Sequence, residues 1–139
     1  MAKVDFLAPD IFVNASVALG SPPEHIARRV LVPGKRIPSS VWVLERVEAM
    51  LSSIPEFKPD AVAQQMSTIR EFVDVVELSE TYGAEQWREA LVAAAKASKS
   101  DRVVTDHPDL LEVDEVDGVR FVSSDAWMVE ATMPPPPPV

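Results

Sequence analysis

Short apolar runs alternate with longer helical stretches along this chain, and that alternation admits few architectures. Val4-Asp5-Phe6-Leu7-Ala8 reads as a short buried strand that stops at Pro9, since proline cannot continue a central strand. Arg102-Val103-Val104-Thr105 and Gly118-Val119-Arg120-Phe121-Val122 read the same way. Residues 11–19 are apolar and helical, closing at Gly20. Pro22-Pro23-Glu24 opens a second helix, because proline and an acid suit a first turn. Its core face carries Ile26, Val30 and Leu31, and Pro33-Gly34-Lys35-Arg36 turns the chain into a very short strand at Ile37. Ser39 or Ser40 caps the next helix, whose Leu44, Val47 and Leu51 repeat at three and four and face inward. Lys58-Pro59-Asp60 starts a helix with Val62, Met66, Ile69 and Val73 on one stripe, and residues 73–78 are strand-like until Gly83. Trp87, Leu91, Ala94 and Ala95 mark a helix that ends in polar residues 96–99, and Ser124 or Asp125 caps a last turn carrying Trp127 and Met128. This order predicts an α/β domain with a mainly parallel central sheet.

The length of 139 residues suits one domain, residues 1–131, followed by a proline-rich tail, 132–139. The tail holds Pro134 to Pro138 in an unbroken run, an extended polyproline helix that reads either as a docking peptide or as a stiff end. No apolar run approaches the eighteen residues of a membrane span, and Asp5 and Asp10 interrupt the N-terminal apolar stretch where a secretory signal would lie. Cysteine is absent, which excludes disulfides, thiolate zinc sites and cysteine nucleophiles and points to a cytoplasmic protein. No glycine-rich phosphate loop and no nucleophile elbow occur.

The net charge of −9 argues against a sequence-blind DNA coat. Residues 1–60 balance seven acids with seven bases, so the whole net charge falls in the remainder. Arg28, Arg29, Lys35 and Arg36 form a basic cluster that reads as a solvated surface or as a contact for phosphate or an acidic partner. Trp42, Trp87 and Trp127 lie on or beside apolar stripes and read as core or interface, and His25 reads as surface. Trp42 and Met50 together suggest more apolar surface than a small core takes, hence a homodimer.

In a parallel α/β sheet, ligands gather where loops leave the carboxyl ends of the strands. Asp10 follows the first strand there, and Asp106, His107 and Asp109 follow Val103-Val104-Thr105. If these strands are neighbours, their acids meet, and like charges so close need a cation, a proton or a basic partner. Oxygen ligands of this kind suit Mg²⁺ or Mn²⁺. The same acids also serve as helix caps, Asp10 for the helix at Ile11 and Asp106 or Asp109 for a turn at Leu110-Leu111.

The stretch Phe-Leu-Ala-Pro-Asp-Ile-Phe-Val-Asn-Ala-Ser from Phe6 to Ser16 resembles the opening of a PIN domain. Residues 93–111, with Ser100-Asp101-Arg102-Val103-Val104-Thr105-Asp106-His107-Pro108-Asp109, resemble that family's helix, turn, strand, threonine and acidic loop. Gly118 to Ser123 resembles its closing strand, so the likeness spans most of residues 4–125. The resemblance implies a three-layer α/β/α sandwich and a Mg²⁺- or Mn²⁺-dependent endoribonuclease. Many such domains are the toxin of a toxin–antitoxin pair, with RNA as substrate and an antitoxin as partner.

Carried over residue by residue, the resemblance makes Asp10 the first acid, Glu45 the second (Glu48 the alternative) and Asp106 or His107 the fourth. Asp10, Glu45 and Asp106 would then be catalytic. Glu89 and His107 would join them around the metal, and Arg28, Arg29, Lys35 and Arg36 would hold the RNA. Asp101 resembles a structural acid at the other end of its strand. The pattern departs from the family in three places. Ile11-Phe12 replaces a small polar pair, with Asn14 and Ser16 one turn on. Arg88 takes the register of the third acid, beside Glu85 and Glu89. His107, a poorer Mg²⁺ ligand than a carboxylate, takes the fourth. Two functions follow. An active nuclease requires Asp10, Glu45 and Asp106 to converge with Arg88 turned away. A degenerate, metal-free PIN-like module that binds protein or regulates requires Arg88 in the metal's place.

Overall fold

The computed structural model describes residues 5–132; the proline run, and with it the docking-peptide reading, lies outside the described residues. The chain runs β1 (Asp5–Leu7), α1 (Pro9–Val17), α2 (Pro22–Val30), β2 (Ile37–Ser39), α3 (Val41–Ser52), α4 (Pro59–Glu71), β3 (Val73–Val75), α5 (Trp87–Ala97), β4 (Arg102–Val104), α6 (Pro108–Val113), β5 (Glu115–Val116), β6 (Val119–Val122) and α7 (Ser124–Thr132). It is a mixed α/β fold with a mostly parallel central sheet. β1, β4 and β6 are parallel neighbours in that order, and β5 closes the far edge antiparallel to β6.

The register aligns Phe6 with Val103 and Phe121, and Leu7 with Val104 and Val122. Side chains alternate along a strand, so each row presents one apolar layer to one face of the sheet. Phe6, Val103 and Val104 are fully buried and Leu7 nearly so. Near-continuous apolar strands are what a parallel sheet covered on both faces requires. Each of the larger side chains contributes about 1.5–3 kcal/mol by leaving water.

β2 and β3 form a separate parallel pair, with β2 beside β1. Proline explains the break. The N–H of Ile37 donates to Phe72 and the carbonyl of Ser39 accepts from Val76, so positions 37 and 39 face β3. Position 38 then faces β1, and Pro38 has no N–H to offer it.

α2 and α4 start as Pro22 and Pro59 predict; Pro9 and Pro108 open α1 and α6 as well, so that Asp10 lies inside the first turn of α1 rather than capping it. Ser40, not Ser39, caps α3, its hydroxyl accepting the N–H of Val43 at 3.1 Å. Val62, Met66 and Ile69 are buried along α4, whereas Val73 belongs to β3. Ser16 of α1 accepts from Gln65 of α4 and donates to the Phe12 carbonyl, so its hydroxyl ties helices together. The last turn is a full helix, α7, capped by the hydroxyl of Ser123 rather than by Ser124 or Asp125. Two small elements, α6 and β5, were not expected. β5 reaches β6 through Asp117-Gly118, both at positive φ, as a two-residue hairpin turn demands.

Trp42 is buried in the chain's own core and Met50 packs against it, so neither supplies the free surface that suggested a homodimer. Among the described residues, no helix is long and apolar enough to cross a membrane.

Candidate functional site

Parallel pairing of β1 with β4 brings Pro9-Asp10 beside Thr105-Asp106 at the carboxyl ends of both strands. The ladder extends one residue further, with the Ala8 N–H donating to the Val104 carbonyl and the Thr105 N–H to the Val122 carbonyl. Asp10 lies in the first turn of α1. Its carboxylate accepts from the Thr105 hydroxyl at 2.9 Å and from the Asp106 N–H at 2.7 Å. The Thr105 hydroxyl oxygen also accepts the His107 N–H. Thr105 is fully buried, and Asp10 and Asp106 are half-buried.

The second carboxylate points onward. Asp106 accepts the Ser124 N–H at 2.8 Å and the Ser124 hydroxyl at 2.6 Å. It therefore satisfies the open amino end of α7, as a local cap would. A single chain of hydrogen bonds thus runs from α1 through β4 to α7. Burial is the largest influence on Asp10 and raises its carboxyl pKa above the usual 3.8; the nearby Asp106 charge pushes the same way, while the Asp106 N–H and Thr105 hydroxyl oppose both.

An aromatic run flanks the pair. The His107 ring lies 5.1 Å from Trp87, and Trp87 meets Trp42 edge-on at 5.6 Å. His107 Nδ1 accepts the Asp109 N–H and so caps α6, the role the sequence offered to Asp106 or Asp109. The Trp42 indole N–H donates to the Gly83 carbonyl at 2.8 Å. Trp42→Phe is expected to lower stability by about 1–2 kcal/mol, since it removes one hydrogen bond to that carbonyl, which keeps the Gln86 N–H, and weakens an edge-on aromatic pair. Urea unfolding checks this, and an unchanged midpoint would refute it.

The other predicted site residues lie elsewhere. Glu45 is exposed on α3 and lines a groove against β3, and Glu48 reaches Arg70 of α4 at 4.0 Å. Glu89 pairs with Arg88 at 3.5 Å, beside a cavity lined also by Tyr82, Lys96 and Asp117. Arg88 thus faces Glu89, not the acids at the strand ends, so the placement expected of a degenerate module is not found, and among the described residues neither is the convergence of Asp10, Glu45 and Asp106 expected of a nuclease. Arg28, Arg29, Lys35 and Arg36 are exposed at the end of α2 and in the turn after it; Arg28 pairs with Glu24 at 2.9 Å and Arg36 with Asp74 at 3.4 Å.

The donor set differs from the three or four carboxylates that Mg²⁺ or Mn²⁺ would call for here. Two carboxylates meet, and the oxygens of both accept from protein donors. Among the described residues no group of three or more His, Cys, Asp or Glu side chains could hold a metal ion. The chain matches no protein-family model, no curated protein and no solved structure.

Thr105 and Ser124 are the functional partners that sequence reasoning missed. Thr105 stood at the end of a predicted strand directly before the acid, which was a usable signal. Ser124 was read as a local cap and is instead the target of a distant one.

Proposed function

We propose that the chain is a PIN-like domain, a three-layer α/β/α sandwich, that works as a protein-binding module rather than as a metal-dependent nuclease. The fold reading is supported by the strand sequence β3-β2-β1-β4 running outward into β6, with helices in the crossovers and the acids at the carboxyl ends. The observation that carries the functional reading is the posture of Asp106. Both its oxygens are held by Ser124, so this carboxylate closes the end of α7. Glu45 and Glu89 support the same reading, because one lines a separate groove and the other pairs with Arg88.

One observation favours the alternative, a Mg²⁺- or Mn²⁺-dependent endoribonuclease of the toxin type. Asp10 is half-buried next to Asp106, and burial, with the Asp106 charge, raises its pKa, a penalty on its charge that a cation would relieve. On that reading Arg28, Arg29, Lys35 and Arg36 receive RNA, and an antitoxin is the partner.

Mn²⁺ titration by calorimetry, with cleavage of single-stranded RNA followed on the same samples, separates the two. The expected result is that neither the wild type nor Asp10→Asn binds the ion or cleaves. Binding and cleavage by the wild type that both disappear in Asp10→Asn would overturn the proposal in favour of the nuclease.

A further inference from the structure

The surface between α3 and the chain that follows β3 combines three features that rarely occur together. It is a groove of about 670 Å³, with walls formed by Val41, Trp42 and Glu45 on one side and by residues 75–82 on the other. A second hollow of about 400 Å³ continues it past Leu44 and Glu48. The first feature is apolar surface. Val41 is 59% exposed and Val75 45% exposed, and both line the two hollows. The second is charge: Glu45, Glu77 and Glu80 border the groove, while in its continuation Glu48 is balanced by Arg70.

The third feature is an open strand edge. Among the described residues β3 pairs only with β2. Phe72 accepts from Ile37 and Val76 donates to Ser39, so alternate positions from 72 to 76 face β2. In a parallel ladder the intervening positions turn their N–H and C=O groups the other way. Val75 thus presents a donor and an acceptor to the outside, next to its own exposed side chain. Natural proteins blunt such edges with lysine, proline or a covering segment. This short edge carries acids instead: Asp74 is paired with Arg36, and Glu77 repels another acidic chain and attracts a basic one.

We propose that β3 and the groove beside it bind an extended basic peptide whose groove-facing residues, every second one, take turns between aliphatic and Lys or Arg. The peptide adds a strand to β3. Every second side chain faces the groove because of the two-residue period, and the aliphatic ones among these cover Val41 and Val75. Its cations meet Glu45, Glu77 and Glu80. The chemistry selects against nucleic acid, because a phosphate backbone would face the same acids. The inference rests on the binding-module reading and gives its partner a chemical class.

The test uses the full chain and a labelled peptide, Lys-Thr-Val-Thr-Lys-Thr-Val-Thr-Lys, which sets Lys and Val on one face, followed by fluorescence anisotropy and by amide shifts. The expected result is saturable binding with the largest shifts at Val75 and Glu77. Reversing both charges in Glu77→Lys with Glu80→Lys should weaken binding roughly tenfold, and added salt should weaken it too. Both positions are exposed, so the variant should fold, and an unchanged amide spectrum away from the groove checks that. Methylating the peptide's backbone nitrogens on the edge that pairs should abolish binding, and methylating the opposite edge should not. Absence of binding, equal binding of the Glu-Val counterpart, or indifference to methylation would overturn the proposal. RNA cleavage measured in the same samples keeps the two readings apart. A chain that cleaves and also binds at β3 defeats the non-catalytic reading alone. One that does neither defeats the groove alone.

Discussion

Arg102→Ala is expected to cost about 3–5 kcal/mol, the range for stranding a buried charge, and so a large share of the roughly 5–15 kcal/mol that stabilises an ordinary domain. The side chain is only 9% exposed. Its guanidinium grips Asp5 with two nitrogens, at 2.8 and 3.2 Å, and holds Glu130 with a third. Burial opposes the Arg102 charge, yet the two carboxylates outweigh it and hold its pKa above the ordinary value. Asp5 also accepts the Trp127 indole N–H at 2.8 Å. One cluster therefore ties the first residue of β1, the first of β4 and the end of α7. Without Arg102, the buried Asp5 keeps its charge and loses its bidentate partner. Asp5→Asn combined with Arg102→Met should recover much of the loss, because it removes both charges and keeps the packing volume. Urea unfolding followed by tryptophan fluorescence measures both. A loss below about 1 kcal/mol for Arg102→Ala would place this bridge among ordinary surface ion pairs.

That cluster was not legible in the sequence. Asp5 and Glu130 lie far from Arg102 along the chain, and only the register of β1 on β4 sets Asp5 opposite Arg102. What could be read were features with a local cause. Proline at first turns and the stripes Leu44-Val47-Leu51 and Val62-Met66-Ile69 placed the helices. Elements too short to show a period escaped. α6 is six residues long with only Leu110 buried, and β5 has two residues. Its turn signal, Asp117-Gly118, was present and went unused. The strand-like residues 73–78 shortened to β3 because the Val76 N–H already closes the ladder on Ser39 and the chain then turns away.

The candidate site divides along the same line. That Asp10 and Asp106 would meet followed from strand ends in a parallel sheet. How each carboxylate is used depended on donors brought by β4 and α7. Helix capping is the clearest case. The sequence offered Ser124 and Asp125 as caps, but the open end of α7 is satisfied by Ser123 and by Asp106, from a different element. Local preference for Ser and Asp at an N-cap cannot tell a residue that caps from one that is capped.

The pair Asp10→Ala and Asp10→Asn gives the second large effect and shows what the first acid does. At neutral pH, Asp10→Ala leaves the buried Thr105 hydroxyl and the Asp106 N–H without their acceptor. Each unpaired group costs roughly 1–3 kcal/mol, so a loss of about 2–5 kcal/mol is expected in urea unfolding. Asp10→Asn keeps an oxygen for the Asp106 N–H, and the Thr105 hydroxyl can turn to accept from the amide. Its loss at pH 7 should stay near 1 kcal/mol, the net worth of one ordinary hydrogen bond.

The sign of the pH dependence follows from burial. Asp10 has a higher pKa in the folded chain than its usual 3.8. Between those two values the folded state binds more protons than the unfolded one, so this group's contribution to stability rises as pH falls through the window. Above it, the buried charge weighs against folding. Asparagine has no proton to bind there. The wild type should therefore gain on Asp10→Asn as pH is lowered from 7 toward 4. A difference that stays flat or moves the other way would mean that the Thr105 and Asp106 donors outweigh burial. Asp10→Ala lacks the same titration, so it should track Asp10→Asn in slope while lying well below it in stability. That combination separates the two roles of the carboxylate, since its charge sets the slope and its hydrogen bonds set the offset. A side chain kept for a metal alone would give Ala and Asn variants of similar stability, because neither supplies the charge.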